Sequence, residues 1–258
     1  MMKRLILIAA LLLCLPLSAL HAQKRHALGP VNSYFTDFPA TETPLSQNGR
    51  WINIGLSGLD WSNMRTTPGL AYGTQTGLQG GGVFNDSASA LTGTWGATQT
   101  LTAKVKATNQ QCSGSDFEEV ELWARLTVSS HVTKGYEVNF RNCVGGVGGQ
   151  YIGIVKWLGP VGGTGVQYTQ LGSNCDNGTG YTVGITDNDV IKITITGTTT
   201  TIITAFVNGA QQCQQQDTSS PYLTGNPGIG HWVHWNTTAP GTAQASDYGL
   251  RNLLVTAS

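Results

Sequence analysis

Along "EEVELWARLTV", Val120, Leu122, Ala124 and Leu126 alternate with Glu119, Glu121, Trp123 and Arg125. A period of two predicts a β-strand with one side against a core and the other open. "KGYEVNFR" repeats the alternation, with Tyr136, Val138 and Phe140 on the apolar side, and the intervening "SSHVT" is short enough for an antiparallel hairpin. Further strand signals follow at "QTLTAKVKAT", "YIGIVKW", "GVQYTQL", "VIKITIT", "TIITAFVNG", "GIGHWVHW" and "DYGLRNLLVTA", joined by turns rich in Gly, Asn, Asp and Pro. Before about residue 95 the chain is rich in Gly, Thr and Ser and gives few clear strands. Helical periodicity is confined to the first residues, and no internal repeat is visible. Many alternating strands with short turns predict an all-β fold, and the length favours a two-sheet antiparallel jelly-roll sandwich.

Charge pairing sets an expected register for the hairpin. With Glu121 opposite Arg141, Trp123 faces Asn139 and Arg125 faces Glu137, so both charged pairs have opposite sign. Slides that set Glu121 against Glu137, or Arg125 against Arg141, bring like charges together and are disfavoured. The open face then carries Glu119, Glu121, Trp123, Arg125, Glu137, Asn139 and Arg141.

At the start of the chain, Lys3 and Arg4 precede an apolar run from Leu5 to Leu17 that ends in "SALHAQ". This is the pattern of a secretory signal peptide, residues 1–22 with cleavage after Ala22, and it is too short for a convincing membrane span. A polar lead, 23–30, and one jelly-roll domain, 31–258, complete the expected organisation. Export gives the cysteines meaning. Cys14 leaves with the signal, and the remaining Cys112, Cys143, Cys175 and Cys213 form an even set, as two disulfides require. Three pairings are open. Cys112 and Cys143 fall at the same end of the hairpin, so the expected bonds are Cys112–Cys143 and Cys175–Cys213. Charged residues make up 11% of the chain and the net charge is zero, which favours neither nucleic acid nor an anionic membrane as a partner.

Trp123 is the position that gives the charged face a candidate use. A flat indole flanked by carboxylates and guanidinium groups offers a sugar both stacking and paired hydrogen bonds, and Trp157 at the end of "YIGIVKW" could extend the platform. In "HWVHW", His231 and His234 point to opposite sides of a strand and cannot chelate one ion together; a packed Trp beside an exposed His is expected. "VGGVGGQ" and "LQGGG" lack the flanking strand and helix of a phosphate loop and read as turns.

The run "GYEVNFR", "YIGIVKWLGP", "TIITAFVNG", "GNPGIG" and "DYGLRNLLV" resembles the concanavalin A-like lectin and glucanase superfamily, including its laminin-G-like bacterial members. Its fold motifs include an Asn-Gly hairpin at Asn208 and Gly209 and a Gly- and Pro-containing turn near Pro227 in "GNPGIG". The resemblance implies that the polar face is the concave, glycan-holding face of two stacked sheets. It implies calcium where the first and last strands meet, with Asp37 and Asp247 as hard oxygen ligands. Bacterial glucanases of the superfamily carry Glu-x-Asp-x-x-Glu on one strand; here Glu119 and Glu121 take the first two places, and Ala124 stands in the third. A secreted protein binding polysaccharide through Trp123, Arg125, Asn139, Arg141 and Trp157 is therefore expected first. A hydrolase or lyase using Glu119, Glu121 and Glu137 is the alternative, and a non-catalytic interaction module a further one.

Overall fold

The computed structural model describes residues 33–58, 61–75, 86–109, 117–142, 151–160, 168–176, 185–234 and 245–258. The expected signal peptide and lead, Cys112 and Cys143 lie outside them. In chain order the strands are β1 (Ser33–Thr36), β2 (Trp51–Asn53), β3 (Ser62–Thr67), β4 (Leu70–Gly73), β5 (Ser87–Leu91), β6 (Gln99–Ala107), β7 (Phe117–Ser129) and β8 (Val132–Asn142). They continue as β9 (Tyr151–Pro160), β10 (Tyr168–Gln170), β11 (Cys175–Asp176), β12 (Val190–Thr196), β13 (Thr201–Val207), β14 (Ala210–Asp217), β15 (Asn226–His234) and β16 (Tyr248–Ala257). A single helical turn, α1 (Ile54–Ser57), follows β2, and no described helix is long and apolar enough to cross a membrane.

Hydrogen-bonded neighbours run β10-β9-β8-β7-β15-β5-β3-β4-β16-β6-β12-β13-β14, with β2 on β5, β11 on β9 and β1 on β16. The first half, to β5, and the second half, from β4, face each other as two layers. Val120, Leu122, Phe140 and Ile152 from one meet Leu101, Ile193 and Ile203 from the other in one apolar core. In β12 burial alternates, with Ile191, Ile193 and Ile195 inward, and β6 alternates likewise. Each such side chain taken from water contributes about 1.5 to 3 kcal/mol. β3 joins the layers: Ser62 and Asn63 pair in parallel with β5, while Met64 to Thr67 pair antiparallel with β4. On the far side a disulfide links Cys175, beside β9, to Cys213 on β14. The Asn208–Gly209 turn joins β13 to β14 with φ of 51° and 83°, the left-handed pair that a two-residue hairpin with right-handed twist demands.

The hairpin of β7 and β8 departs from the charge-ladder register. Glu119 lies opposite Arg141, Glu121 opposite Asn139 and Trp123 opposite Glu137, and the register shifts between Ala124 and Thr127. The cause is a bulge. Arg125 adopts φ 51°, and the extra residue reverses the alternation, so that Leu126 joins Trp123 in a second apolar cluster on the outer face. Arg125 turns the other way, into the protein, where its guanidinium donates to Ala97 O, Thr201 Oγ1, Tyr222 O and Gly197 O at 2.7 to 2.9 Å. The expected Arg125–Glu137 pair therefore does not form, and Arg125 is not on the candidate face. Pro227, expected in a turn, sits at a bulge near the start of β15, where a missing N–H is tolerated.

Candidate functional site

Three rows of residues cross the outer face of β9, β8, β7 and β15. Tyr151, Arg141, Glu119 and Trp232 form the first, Gly153, Asn139, Glu121 and Gly230 the second, and Val155, Glu137, Trp123 and Gly228 the third. Asp86 precedes β5 one step beyond the Ser87–His231 pair, which sets it beside Trp232. Glycine at both ends of the middle row makes the face dip. A Cβ on Gly230 would lie 1.9 Å from Glu121 Oε2, and one on Gly153 would lie 2.2 Å from Asn139 Oδ1. Gly230→Ala is accordingly expected to push Glu121 out of place and cost about 1 to 3 kcal/mol, read as a lower urea midpoint with an unchanged slope.

The dip collects carboxylates. Asp86, Glu121 and Glu137 each bring an oxygen to within 4.8 Å of one another, and all three side chains, like Glu119, are at most 3% exposed. Indole N–H groups hold two of them: Trp123 Nε1 donates to Glu121 Oε2 at 2.7 Å and Trp157 Nε1 to Glu137 Oε2 at 2.5 Å. Asn139 Nδ2 donates to Glu137 Oε1 at 3.1 Å, and Tyr151 Oη to Glu119 Oε1 at 2.9 Å. Burial disfavours charge on all four. It lifts Glu119 to about 7, against the opposing pull of Arg141 and Tyr151, and Glu137 to about 8, against the Trp157 hydrogen bond. Asp86 and Glu121 are raised well above the usual carboxylate range, by burial first and then by neighbouring carboxylates.

The face expected to be open is half covered. Trp61 and Ile54 lie over Trp123, Trp157 and Val155 as a second small core, with Trp61 edge-on to Trp157 at 4.6 Å. Trp123 and Trp157 are 0% and 2% exposed, so both act here as packed rings and N–H donors, with no open face for a sugar. The uncovered part is a small cleft, about 70 Å³, lined by Asp86, Glu119, Glu137, Tyr151, Tyr168 and Trp232, among others. Arg141 flanks it, its guanidinium over the Tyr151 ring at 5.1 Å.

Asp86, Tyr151, Tyr168 and Trp232 were not among the residues the sequence singled out. "HWVHW" is oriented opposite to expectation: His231 is fully buried, its Nε2 3.0 Å from Tyr248 O, and burial holds its imidazole down at about 4. Trp232 is the half-exposed residue and faces the cleft. Asp37 is exposed just beyond β1, and Asp247 accepts from Asn109 Nδ2 at 3.0 Å. Neither belongs to a described group of acidic residues able to share an ion.

No family model matches the sequence, and no curated protein matches it. The fold is the concanavalin A-like jelly roll. The chain is similar to a carbohydrate-binding module of the evolved Dit protein of Lactobacillus casei BL23 phage J-1, at 11% identity over 87% of this chain and 95% of that one, with a TM-score of 0.50. A carbohydrate-binding module from Bacillus subtilis aligns at 12% identity over 83% of this chain and 96% of that one, TM-score 0.47. An alginate lyase in complex with an alginate tetrasaccharide aligns at 12% identity over 89% and 98%, TM-score 0.47.

Proposed function

We propose that the chain is exported and binds an extracellular polysaccharide in the cleft on the outer face of β7, β8, β9 and β15. The observation that carries this reading is the lining of the cleft: half-exposed rings of Trp232, Tyr151 and Tyr168 stand around carboxylates, with Asn139 and Gln170 beside them. Rings supply apolar surface to the C–H face of a pyranose, and fixed acceptors take its hydroxyl protons. Export is supported by the leading apolar run and by the Cys175–Cys213 bond, which suits an oxidising compartment.

A specific observation also favours hydrolysis. Glu137 keeps its proton to about 8 and Glu119 to about 7, as a general acid working at neutral pH must, and oxygens of Asp86, Glu121 and Glu137 gather within 4.8 Å of one another, so further carboxyl groups stand beside that acid, as a retaining mechanism requires. Both readings use the same cleft. One preparation, assayed for binding across neutral and acidic polysaccharides and for new reducing ends, separates them. Under the binding reading Trp232→Ala loses about tenfold or more in affinity, near 1.4 kcal/mol, and no reducing ends appear. Under the hydrolytic reading reducing ends appear with the wild type and vanish with Glu137→Gln. Neither binding nor product across the panel overturns both.

A further inference from the structure

Three carboxylates converge below the cleft, and among the described residues two arginines of the hairpin are directed elsewhere. Arg141 draws charge toward Glu119, and Arg125 lies on the core side of the sheet. The groups that shift Asp86 and Glu121 electrostatically are other carboxylates. Burying like charges together is costly unless protons or a cation neutralise them. We propose that Asp86, Glu121 and Glu137 hold one hard divalent cation, Ca2+ by size, at the floor of the cleft.

The geometry fits such an ion. Oxygens bound at about 2.3 to 2.6 Å from a common centre cannot lie more than about 5 Å apart, and the three oxygens lie within 4.8 Å of one another. The set is all oxygen, without the imidazole or thiolate that would favour zinc or copper. Asp86 adds an independent sign. Its side chain is 3% exposed and its Oδ1 has no hydrogen-bond partner among the described residues, although buried acceptors are rarely left unmade. The other two carboxylates are aimed from behind, since Trp123 and Trp157 each donate to one oxygen and fix the group's orientation, as outer-shell partners of metal ligands do. Access is available because Asp86 and Glu137 line the cleft while Glu121 lies beneath. Ca2+ takes about six to eight oxygens, so positions remain on the cleft side for water or, on the glycan-binding reading, for paired sugar hydroxyls.

The test uses the whole folded protein without glycan, so its outcome stands apart from the binding reading. Tb3+ replaces Ca2+ as the probe, with excitation at tryptophan. Trp123 and Trp157 touch two of the ligands and should sensitise the ion. A saturable one-to-one emission that Ca2+ displaces is expected. Asp86→Asn should weaken binding by about tenfold or more, since affinity follows ligand charge, whereas Asp247→Asn should leave it unchanged. Removing a charge from a repelling group should not unfold the protein, which near-ultraviolet circular dichroism checks; Glu137→Gln provides a second reading of the same loss. Absence of saturable emission, wild-type binding by both Asp86→Asn and Glu137→Gln, or loss of binding only in Asp247→Asn would each overturn the assignment.

Discussion

Replacing Arg125 by Ala is expected to lower the unfolding free energy by about 3 to 5 kcal/mol, as the sum of several charge-assisted hydrogen bonds and lost packing. The side chain is 1% exposed and spans to the strand ends and loops of the opposite layer, satisfying Ala97 O, Gly197 O, Tyr222 O and Thr201 Oγ1. Truncation leaves those acceptors buried without a donor and opens a cavity beside them. Arg125→Lys keeps the charge but loses the planar fork, and should recover only part of the stability. Equilibrium urea unfolding of the two variants checks this. A loss below about 1 kcal/mol in Arg125→Ala would mean that water replaces the guanidinium at little cost. On the glycan-binding proposal, affinity of the folded variant should stay at the wild-type value, because the bulge removes Arg125 from the cleft.

With divalent ions chelated, stability is expected to fall by several kcal/mol as pH rises from about 5 to about 8. In the unfolded chain Glu119 and Glu137 lose their protons near their ordinary value of 4.5; in the fold they keep them to about 7 and about 8. Between those limits the native state binds more protons, so the slope of unfolding free energy against pH is negative. The contribution is fully present below about 4.5 and is lost as pH passes through 7 and 8. Glu119 alone, raised from 4.5 to about 7, amounts to roughly 3 kcal/mol at about 1.4 kcal/mol per unit. Urea titrations at several pH values should show the decline, Glu119→Gln should flatten part of it, and Ca2+ should offset it at the alkaline end. A profile flat or rising across this range would show that water reaches the carboxylates and relieves their burial.

Period-two patterning located the strands whose two sides differ in chemistry. "VIKITIT" matches β12 residue for residue, and "QTLTAKVKAT" contains β6. Strands whose two sides are alike carry no such pattern. "SASAL" forms β5 with every residue buried, yet its small side chains give no apolar signal. "AQQCQQQD" forms β14 with mainly Cys213 and Asp217 inward among glutamines. The site was half legible for related reasons. Glu119, Glu121 and Glu137 do meet on one face, but Asp86 reaches them through a strand with no signal of its own. Charge complementarity fixed on the wrong register because it assumed an open face: Glu121 and Glu137 are buried and held by indole N–H groups, and the left-handed kink at Arg125 moves a buried guanidinium to partners in the other layer. Nothing local in the sequence shows that Trp61 will cover Trp123 and Trp157, a contact made across more than fifty residues of chain.

The sandwich has a seam on each flank. On one, β3 runs a continuous backbone ladder from layer to layer; on the other, a covalent bond ties β14 to the strand beside β9. A clam with two hinges does not open. The two seams oppose sliding or parting of the layers, so reshaping of the cleft is expected to come from twist within β7, β8, β9 and β15 themselves. Reduction of Cys175–Cys213 would leave β3 as the one seam, and faster amide exchange along β9 and β14 is the expected sign of it.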